Sequence, residues 1–341
     1  MSVGYAYAPI FDQHDTGDHP ERAERLAAIL RYLRQNGLLE RLTPMIFQPV
    51  TMRDLGRVHT PDLIRRLHDY AARGGGYLTP DTILSPASFE AALMAAGASI
   101  SAAQEVIAGR LSAAFALVRP PGHHATRNES MGFCLFNNPA IAATWALEEA
   151  GLRRVAIVDF DVHHGNGTEE IVRSDARILY VSTHQFPLYP GTGHWRQAGA
   201  PGGAETIIDI PLPPGTGDRG YLDAFRRLVQ PALERFQPEL ILVSAGYDAH
   251  WADPLSWMLL SVQGYAQMVT LLRESAQALC DGRLALLLEG GYDLDALSHC
   301  VAATFAALLG RPYEDPLGPA REPEADASGR IAYLTHWYGL A

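Results

Sequence analysis

Short apolar runs alternate with longer amphipathic stretches along the chain. Five runs rich in aliphatic and β-branched residues lie at 114–118, 155–160, 178–182, 240–244 and 284–288. Continuous hydrophobicity is typical of strands that are buried on both faces of a parallel sheet. Helix-like stretches lie at 20–35, 61–73, 86–108, 139–150, 220–236 and 262–280. This alternation predicts an α/β fold with right-handed crossovers.

Each apolar run leads directly into a polar cluster. The clusters occupy residues 119–124, 159–167, 182–184, 245–250 and 289–292. The carboxyl ends of parallel strands share one edge of an open sheet, and ligands bind there. We therefore expect five segments that are distant in sequence to meet at one edge.

The cluster after the second run indicates a metal site. Asp159, Asp161 and His163 alternate, so an extended chain would direct them to one side. Buried carboxylates are costly unless a cation neutralises them, and a later cluster supplies Asp248. Two aspartates and one histidine fit a catalytic zinc with an open position for water. The same donor set also accepts Fe(II) or Co(II).

Composition narrows the class of protein. The chain has 341 residues, 48% of them hydrophobic, and a net charge of −11. The acidic balance argues against a nucleic-acid footprint and would attract a cationic substrate only weakly. No apolar run reaches the roughly 18 to 20 residues needed to span a bilayer. The absence of a secretion signal and three cysteines without metal-type spacing favour the cytoplasm.

The segment 311–341 differs from the rest of the chain. Four prolines interrupt its first half, and its last residues include Tyr333, Trp337 and Tyr338. Two interpretations remain open. The aromatic end either docks on the main domain or forms a contact in a homo-oligomer.

Seven motifs together resemble the histone deacetylase superfamily, particularly its class II branch and the bacterial deacetylase-like amidohydrolases. They are HDTGDHPERAER (14–25), RPPGHHA (119–125), GFCLFNN (132–138), DFDVHHGNGT (159–168), YPGTG (189–193), SAGYDAHWADP (244–254) and EGGY (289–292). The resemblance implies an arginase-like three-layer α/β/α fold with a central, mostly parallel, eight-stranded sheet. It also implies one catalytic domain over residues 1–310.

The resemblance also assigns site residues. It implies zinc ligands Asp161, His163 and Asp248, paired catalytic histidines His123 and His124, and a carbonyl-polarising Tyr292. It places Phe133 and Tyr189 on the walls of an acyl-lysine tunnel. From the local sequence, we expect the turns at Gly132 and Gly291 to border the substrate and Asp81, in Thr-Pro-Asp-Thr (79–82), to reach the rim. The resemblance further implies a monovalent cation, usually potassium, near Asp159, Asp161, His163, Ser182 and Thr183.

The two histidines are expected to differ. An Asp159 partner would favour an imidazolium at His123. An Asn166 partner would leave His124 with a lower pKa, which suits a general base and acid. Tyr292 would donate a hydrogen bond to the developing oxyanion.

The favoured function is hydrolysis of the amide in acylated lysine of a peptide or protein. An acetylpolyamine amidohydrolase that acts on acylated small amines is the first alternative. The sequence SAGYDA at 244–249 differs from the SLGFDT typical of that sister group. A non-catalytic acyl-lysine-binding scaffold and an arginase-like dimetal ureohydrolase are further alternatives. The intact catalytic positions and the paired histidines argue against both.

Overall fold

The computed structural model describes residues 2–197 and 206–340, and within them eight strands form one parallel sheet. Ten strands occur in chain order: β1 (Val3–Ala6), β2 (Thr43–Pro44), β3 (Gly76–Thr79), β4 (Thr82–Leu84), β5 (Ala113–Ala116), β6 (Val155–Asp159), β7 (Ile178–Gln185), β8 (Ile207–Leu212), β9 (Leu240–Ala245) and β10 (Leu284–Leu288). The central sheet has the order β2-β1-β5-β10-β9-β6-β7-β8, and β3 and β4 form a separate antiparallel pair.

Helices flank the central sheet and complete three layers. They are α1 (Glu24–Gln35), α2 (Met52–Val58), α3 (Pro61–Ala72), α4 (Ser88–Ile107), α5 (Asn138–Glu148), α6 (Asn166–Val172), α7 (Asp218–Ala224), α8 (Gln230–Phe236), α9 (Val262–Leu279), α10 (Leu294–Leu308) and α11 (Ser328–Trp337). Helix α4 packs against α5, whereas α10 packs between α1 and α9. The α/β/α architecture expected from the resemblance is confirmed.

The strand register positions the polar clusters. The central strands β6, β9 and β10 are buried along their whole length, as their continuous hydrophobicity predicts. Strand β6 pairs with β7 and β9, and its last residue, Asp159, lies opposite Ser182 of β7 and Ser244 of β9. The segments that follow β6, β7 and β9 therefore leave the sheet at the same edge.

The five predicted strands are confirmed, with small differences in their ends. Strands β1, β2, β3, β4 and β8 were not predicted, because β1 to β4 are short and Asp209 and Pro211 interrupt the apolar pattern of β8. The predicted helix at 220–236 contains a π-helical segment at Phe225–Val229. That segment precedes Pro231, which has no N–H to donate. The predicted helix start at Pro20 is wrong, since α1 begins at Glu24.

The C-terminal segment contains helix α11, which packs against β8 and α7. Tyr338 follows this helix and is 2% exposed. Its hydroxyl accepts a hydrogen bond from the Asp209 N–H and donates one to the Asp209 carbonyl, each at 3.0 Å. Tyr333 is 43% exposed by contrast. The division into 1–310 and 311–341, and any role in an oligomer, stay predictions.

Candidate active site

Asp161, His163 and Asp248 meet at the carboxyl edge of the sheet. His163 Nδ1 lies 3.2 Å from Asp161 Oδ1 and 3.1 Å from Asp248 Oδ2. Ligands about 2 Å from a shared tetrahedral ion lie roughly 3.3 Å apart, so the three atoms fit one divalent cation. All three residues are buried. The expected convergence is therefore present in the structure.

The local path differs from the extended strand that we expected. Strand β6 ends at Asp159, and Asp161 and His163 lie in the following loop. Aspartate side chains organise that loop, because Asp159 Oδ1 accepts the Asp161 N–H at 3.1 Å and Asp161 Oδ1 accepts the His163 N–H at 2.9 Å. Asp159 consequently faces the paired histidines instead of joining the three-residue set.

Two glycines allow the carboxylates to approach each other. A Cβ atom at Gly246 would lie 2.0 Å from Asp161 Oδ2, and one at Gly290 would lie 2.1 Å from Asp248 Oδ2. The Gly290 N–H also donates to Asp161 Oδ2 at 2.8 Å. Glycine is required at both positions because any side chain would displace a carboxylate.

The electrostatics of this set favour a cation. Burial opposes charge on His163, but Asp161 and Asp248 raise its pKa to about 10. Burial and the nearby Asp161 charge raise the pKa of Asp248. Positive charge between the two carboxylates is therefore stabilising, and a divalent ion would supply it while displacing the proton.

His123 and His124 have different partners. His123 Nδ1 lies 3.1 Å from Asp159 Oδ2, and His124 Nδ1 lies 2.8 Å from Asn166 Oδ1. Asp159 Oδ2 also accepts a hydrogen bond from the Tyr180 hydroxyl at 3.0 Å. Both partners inferred from the sequence are therefore found in the structure.

Burial and the neighbouring charges separate the pKa values of the two histidines. Burial opposes charge on His123, but Asp161 and Asp159 raise its pKa to about 10. Burial lowers the pKa of His124 well below its usual value, and positive charge on His123 and His163 lowers it further. His124 is therefore the member of the pair that is neutral at physiological pH.

Tyr292 lies in the loop after β10 and remains protonated. Burial and the Asp248 charge raise the pKa of its phenol well above the usual value. The Arg25 guanidinium lies over the Tyr292 ring, 5.0 Å from its centroid. Asp253 Oδ2 accepts the Tyr292 N–H at 2.6 Å. A phenol held in this way can donate a hydrogen bond at neutral pH.

A cavity of about 250 Å³ reaches this chemistry. Its lining residues are Asp81, His124, Gly132, Phe133, His163, Leu188, Tyr189, Leu255 and Tyr292. The Phe133 ring lies edge-on to Tyr292 with centroids 5.7 Å apart, and the Tyr189 ring lies edge-on to His124 at 5.2 Å. Four expected substrate-binding residues, Phe133, Tyr189, Gly132 and Asp81, line one cavity.

Gly132 and Asp81 support these walls. A Cβ atom at Gly132 would lie 2.3 Å from His124 Cδ2, so the backbone passes directly over the imidazole. Asp81 Oδ1 accepts hydrogen bonds from the Thr79 and Thr82 hydroxyls at 2.5 and 2.8 Å. Burial raises the pKa of Tyr189, and the Asp81 charge and the hydrogen bond that the Tyr189 hydroxyl donates to Asp81 raise it further.

Gly291, the fifth expected substrate-binding residue, is not among the residues that line the cavity. Its carbonyl accepts a hydrogen bond from Arg25 Nε at 2.7 Å, and its φ is 114°. A Cβ atom there would lie 2.9 Å from Leu297 Cδ1. Gly291 therefore supports the turn beneath Tyr292 in the structure, instead of contacting the cavity.

The residues expected around a monovalent cation are adjacent in the structure. Asp159 pairs with Ser182 across β6 and β7, and the Thr183 hydroxyl lies 3.5 Å from the Asp159 carbonyl. The Ser182 hydroxyl hydrogen-bonds to His184 Nδ1 at 2.8 Å. His184 is buried and does not line the cavity.

The sequence reasoning missed the function of Glu289. Its Oε2 accepts the N–H groups of Gly122 and His123 at 2.7 and 3.2 Å, so it holds the backbone of the paired histidines. Burial raises the pKa of Glu289 to about 8. Its place at a strand end was visible, but the partner backbone 166 residues away was not. Leu188 and Leu255 were missed because single leucines in loops carry no pattern.

Comparison with known proteins identifies the family. Residues 19–308 match the histone deacetylase domain model. The chain belongs to the histone deacetylase family and is an amidohydrolase of the deacetylase type.

The relatives cover nearly the whole chain. A probable deacetylase of Archaeoglobus fulgidus is 40% identical over 328 residues, which cover 95% of this chain and 90% of that protein. The histone deacetylase-like amidohydrolase of Pseudomonas aeruginosa is 38% identical and covers 92% of this chain and 82% of its own length. The crystal structure of the HDA15 HD domain superposes with a TM-score of 0.90 at 35% identity and covers 100% of this chain and 98% of that chain. Among the helices of the described residues, none has the length and hydropathy to cross a membrane.

Proposed function

We propose that this protein hydrolyses the amide of N-acyl-lysine side chains with one zinc ion held by Asp161, His163 and Asp248. The observation that carries the proposal is that three buried donors suited to zinc meet beside a narrow cavity that also contains His124 and Tyr292. When bound, zinc would polarise the substrate carbonyl and lower the pKa of the attacking water.

The protein side chains would handle the protons. His124 is neutral because of burial and its neighbours, so its Nε2 can accept the proton of the attacking water. The same nitrogen would return that proton to the departing lysine amine. His123, held by Asp159, would stay positively charged and stabilise the negative transition state.

The remaining groups would position the substrate. The protonated Tyr292 hydroxyl would donate a hydrogen bond to the carbonyl oxygen as negative charge develops on it. Phe133 and Tyr189 present aromatic surface to the slender alkyl chain. A cavity of about 250 Å³ lies below the roughly 300–1,000 Å³ typical of drug-sized ligands, which favours one extended side chain.

Two substrates distinguish the leading proposal from its alternatives. We expect zinc-loaded enzyme to have at least a tenfold higher kcat/KM for an acetyl-lysine peptide than for N-acetylputrescine. The opposite preference would support the polyamine alternative. Zinc binding without turnover of either substrate would support the acyl-lysine-binding scaffold. A panel of acyl chains on the preferred amine would then define the acyl specificity.

The identity of the ions is part of the proposal. Reconstitution of chelator-treated enzyme with Zn²⁺, Fe²⁺ or Co²⁺ tests the native metal, and we expect zinc to restore turnover.

We propose a potassium ion beside Asp159, held by main-chain carbonyls of Asp161, His163 and Thr183 and by the Ser182 hydroxyl. Replacing KCl with a tetramethylammonium salt should then change kcat. A cytoplasmic location is proposed on the three cysteines without metal-type spacing, and independence of nucleic acid on the net charge of −11. Independence of membranes is proposed on the lack of an apolar run of membrane-spanning length.

A further inference from the structure

A second buried cluster lies next to the proposed zinc site in sequence. It consists of His164, Glu169 and Asp209, whose ligand atoms all lie within 4.8 Å of one another. His164 precedes α6, Glu169 lies in α6, and Asp209 lies in β8. His164 Nε2 is 2.6 Å from Glu169 Oε2 and 3.3 Å from Asp209 Oδ1. The consecutive residues His163 and His164 thus contact two different pairs of carboxylates.

The atoms that face the centre of this cluster lack hydrogen-bond partners among the described residues. Asp209 is 0% exposed, and in the described part of the chain neither of its carboxylate oxygens has a hydrogen bond. Glu169 Oε2 and His164 Nε2 also have no hydrogen bond in the described residues. These two atoms lie close to each other, but without the geometry of a hydrogen bond. A buried carboxylate without hydrogen bonds is strongly destabilised unless a cation compensates its charge. The cluster therefore needs positive charge at its centre.

Burial raises the pKa of Asp209 and His164 lowers it below the usual value, and in the described residues no second cation pairs with the Asp209 carboxylate. Arg173 pairs with Oε1 of Glu169, the oxygen that does not face His164. His184 uses Nδ1 for the Ser182 hydroxyl and Nε2 for the Gly193 carbonyl, each at 2.8 Å, and burial lowers its pKa to about 3. His184 is therefore neutral and directed elsewhere.

His164 is oriented as a metal ligand would be. Its Nδ1 lies 2.8 Å from the Thr192 hydroxyl. A histidine that donates Nδ1–H to such an oxygen presents the Nε2 lone pair on the other side of the ring, which here faces the two carboxylates. The backbone at Gly193 packs directly against the His164 ring, since a Cβ atom there would lie 2.7 Å from His164 Cγ.

We propose that His164 Nε2, Glu169 Oε2 and Asp209 Oδ1 bind a second divalent ion of the first transition series. An imidazole with two carboxylates favours Zn²⁺, Fe²⁺ or Co²⁺ over Mg²⁺ or Ca²⁺, which prefer oxygen ligands alone. The ion would tie the beginning of α6 to the edge strand β8. It would have a structural function, because none of the three residues lines the substrate cavity. The competing arrangement is a protonated His164 between the carboxylates with no metal.

Metal content distinguishes the two arrangements. Full-length enzyme is saturated with Zn²⁺, desalted and analysed for zinc per chain. We expect about two equivalents in the wild type and about one after Asp209→Asn. Asp223→Asn removes a partly exposed acid that pairs with Arg227 in the described part of the chain, and it should leave both equivalents. One equivalent in the wild type, or two equivalents retained after Asp209→Asn, would overturn the proposal.

Two further measurements keep the test decisive. Asp248→Asn should also remove about one equivalent while abolishing turnover, so loss of the proposed zinc site is distinguishable from loss of the second site. If Asp209→Asn does not fold, wild-type crystals measured at the zinc absorption edge provide the test without a variant. A second anomalous peak about 2 Å from the three ligand atoms supports the site, and its absence contradicts it.

Discussion

His123 and His124 are neighbours in the chain, yet their partners give them opposite charge preferences. A carboxylate beside His123 favours its imidazolium, whereas the amide of Asn166 beside His124 leaves that imidazole neutral. Burial and positive charge on His123 and His163 lower the pKa of His124, and the neutral amide of Asn166 adds no negative charge to oppose them. An aspartate at residue 166 would add that charge with almost no change in the shape of the site.

Asn166→Asp should move the acidic limb of the kcat/KM profile to higher pH. A carboxylate 2.8 Å from His124 Nδ1 stabilises the protonated ring and raises its pKa. Activity requires the neutral ring. As the pH is lowered, the variant should therefore lose activity at a higher pH than the wild type does. The measurement is a pH–rate profile from pH 5 to 9 with an acetyl-lysine substrate.

Asn128→Asp is the matched control for this prediction. Asn128 is exposed, so the same added charge lies in solvent and should leave the profile unchanged. An acidic limb in Asn166→Asp that coincides with the wild type would show that His124 is not the base.

Tyr292→Phe should lower kcat by about a hundredfold or more with a smaller change in KM. The ring would keep its packing against Phe133 while the oxyanion loses its donor. Steady-state kinetics with an acetyl-lysine peptide measure both constants. Tyr77→Phe, at a tyrosine that is 69% exposed, should be neutral. Near-normal kcat in Tyr292→Phe would exclude its proposed function.

At the scale of elements, the loops after β6, β9 and β10 hold one another in place, because backbone N–H groups in one loop donate hydrogen bonds to a carboxylate in another. The Val162 N–H donates to Asp248 Oδ1 at 3.0 Å, and the Gly290 N–H donates to Asp161 Oδ2 at 2.8 Å. The β6 loop therefore positions a ligand from the β9 loop, and the β10 loop positions a ligand from the β6 loop. Such mutual support is how a buried charged site retains a single geometry.

Gly246→Ala should remove zinc from the proposed catalytic site. The added methyl group would lie 2.0 Å from Asp161 Oδ2, and that carboxylate would have to move. The zinc content should fall by about one equivalent and turnover should fall with it. Gly329→Ala meets no atom within 4 Å and should retain both. Full zinc content in Gly246→Ala would contradict the close packing described here.

Glu289 connects β10 to the paired histidines and makes folding stability depend on pH. Its pKa in the folded state is about 8, above the ordinary value of about 4.3. Its contribution to stability is therefore complete below about pH 4 and is lost as the pH rises through about 8. Glu289→Gln cannot ionise, so its free energy of unfolding should decline less than that of the wild type between pH 5 and 9.

Urea unfolding of chelator-treated protein measures this difference, because a bound cation would offset the Asp161 charge that acts on Glu289. Glu148→Gln, at a side chain that is 39% exposed, is the control and should follow the wild type. Parallel pH curves for wild type and Glu289→Gln would contradict the raised pKa.

The sequence reveals elements whose pattern is regular and misses those whose stability comes from tertiary contacts. The buried strands β6, β9 and β10 carry continuous hydrophobicity and are predicted nearly to the residue. Strand β8 carries the buried Asp209, so its apolar period is broken at the residue that joins the second cluster. The motifs predict which loops meet at the sheet edge. They do not predict long-range partners such as the Glu289 contact with His123.

At the scale of the whole molecule, the C-terminal segment covers the open edge of the sheet. Strand β8 is the last strand, and its outer backbone groups would face solvent without a partner. Tyr338 satisfies the N–H and the carbonyl of Asp209 on that side. Arg235 in α8 donates to the Tyr338 carbonyl at 2.8 Å, which holds the segment in place. The docking interpretation of the tail accounts for these contacts.

Tyr338→Phe should lower the free energy of unfolding by about 1–3 kcal/mol, because two buried backbone groups of an edge strand lose their partner. Urea unfolding measures the loss, and Tyr333→Phe, at a residue that is 43% exposed, should change stability by less than about 0.5 kcal/mol. Sedimentation velocity of the same proteins addresses the oligomer interpretation. A docked tail predicts reduced stability with unchanged molecular mass, whereas dissociation of an oligomer in Tyr338→Phe would show that the aromatic end contacts a second copy.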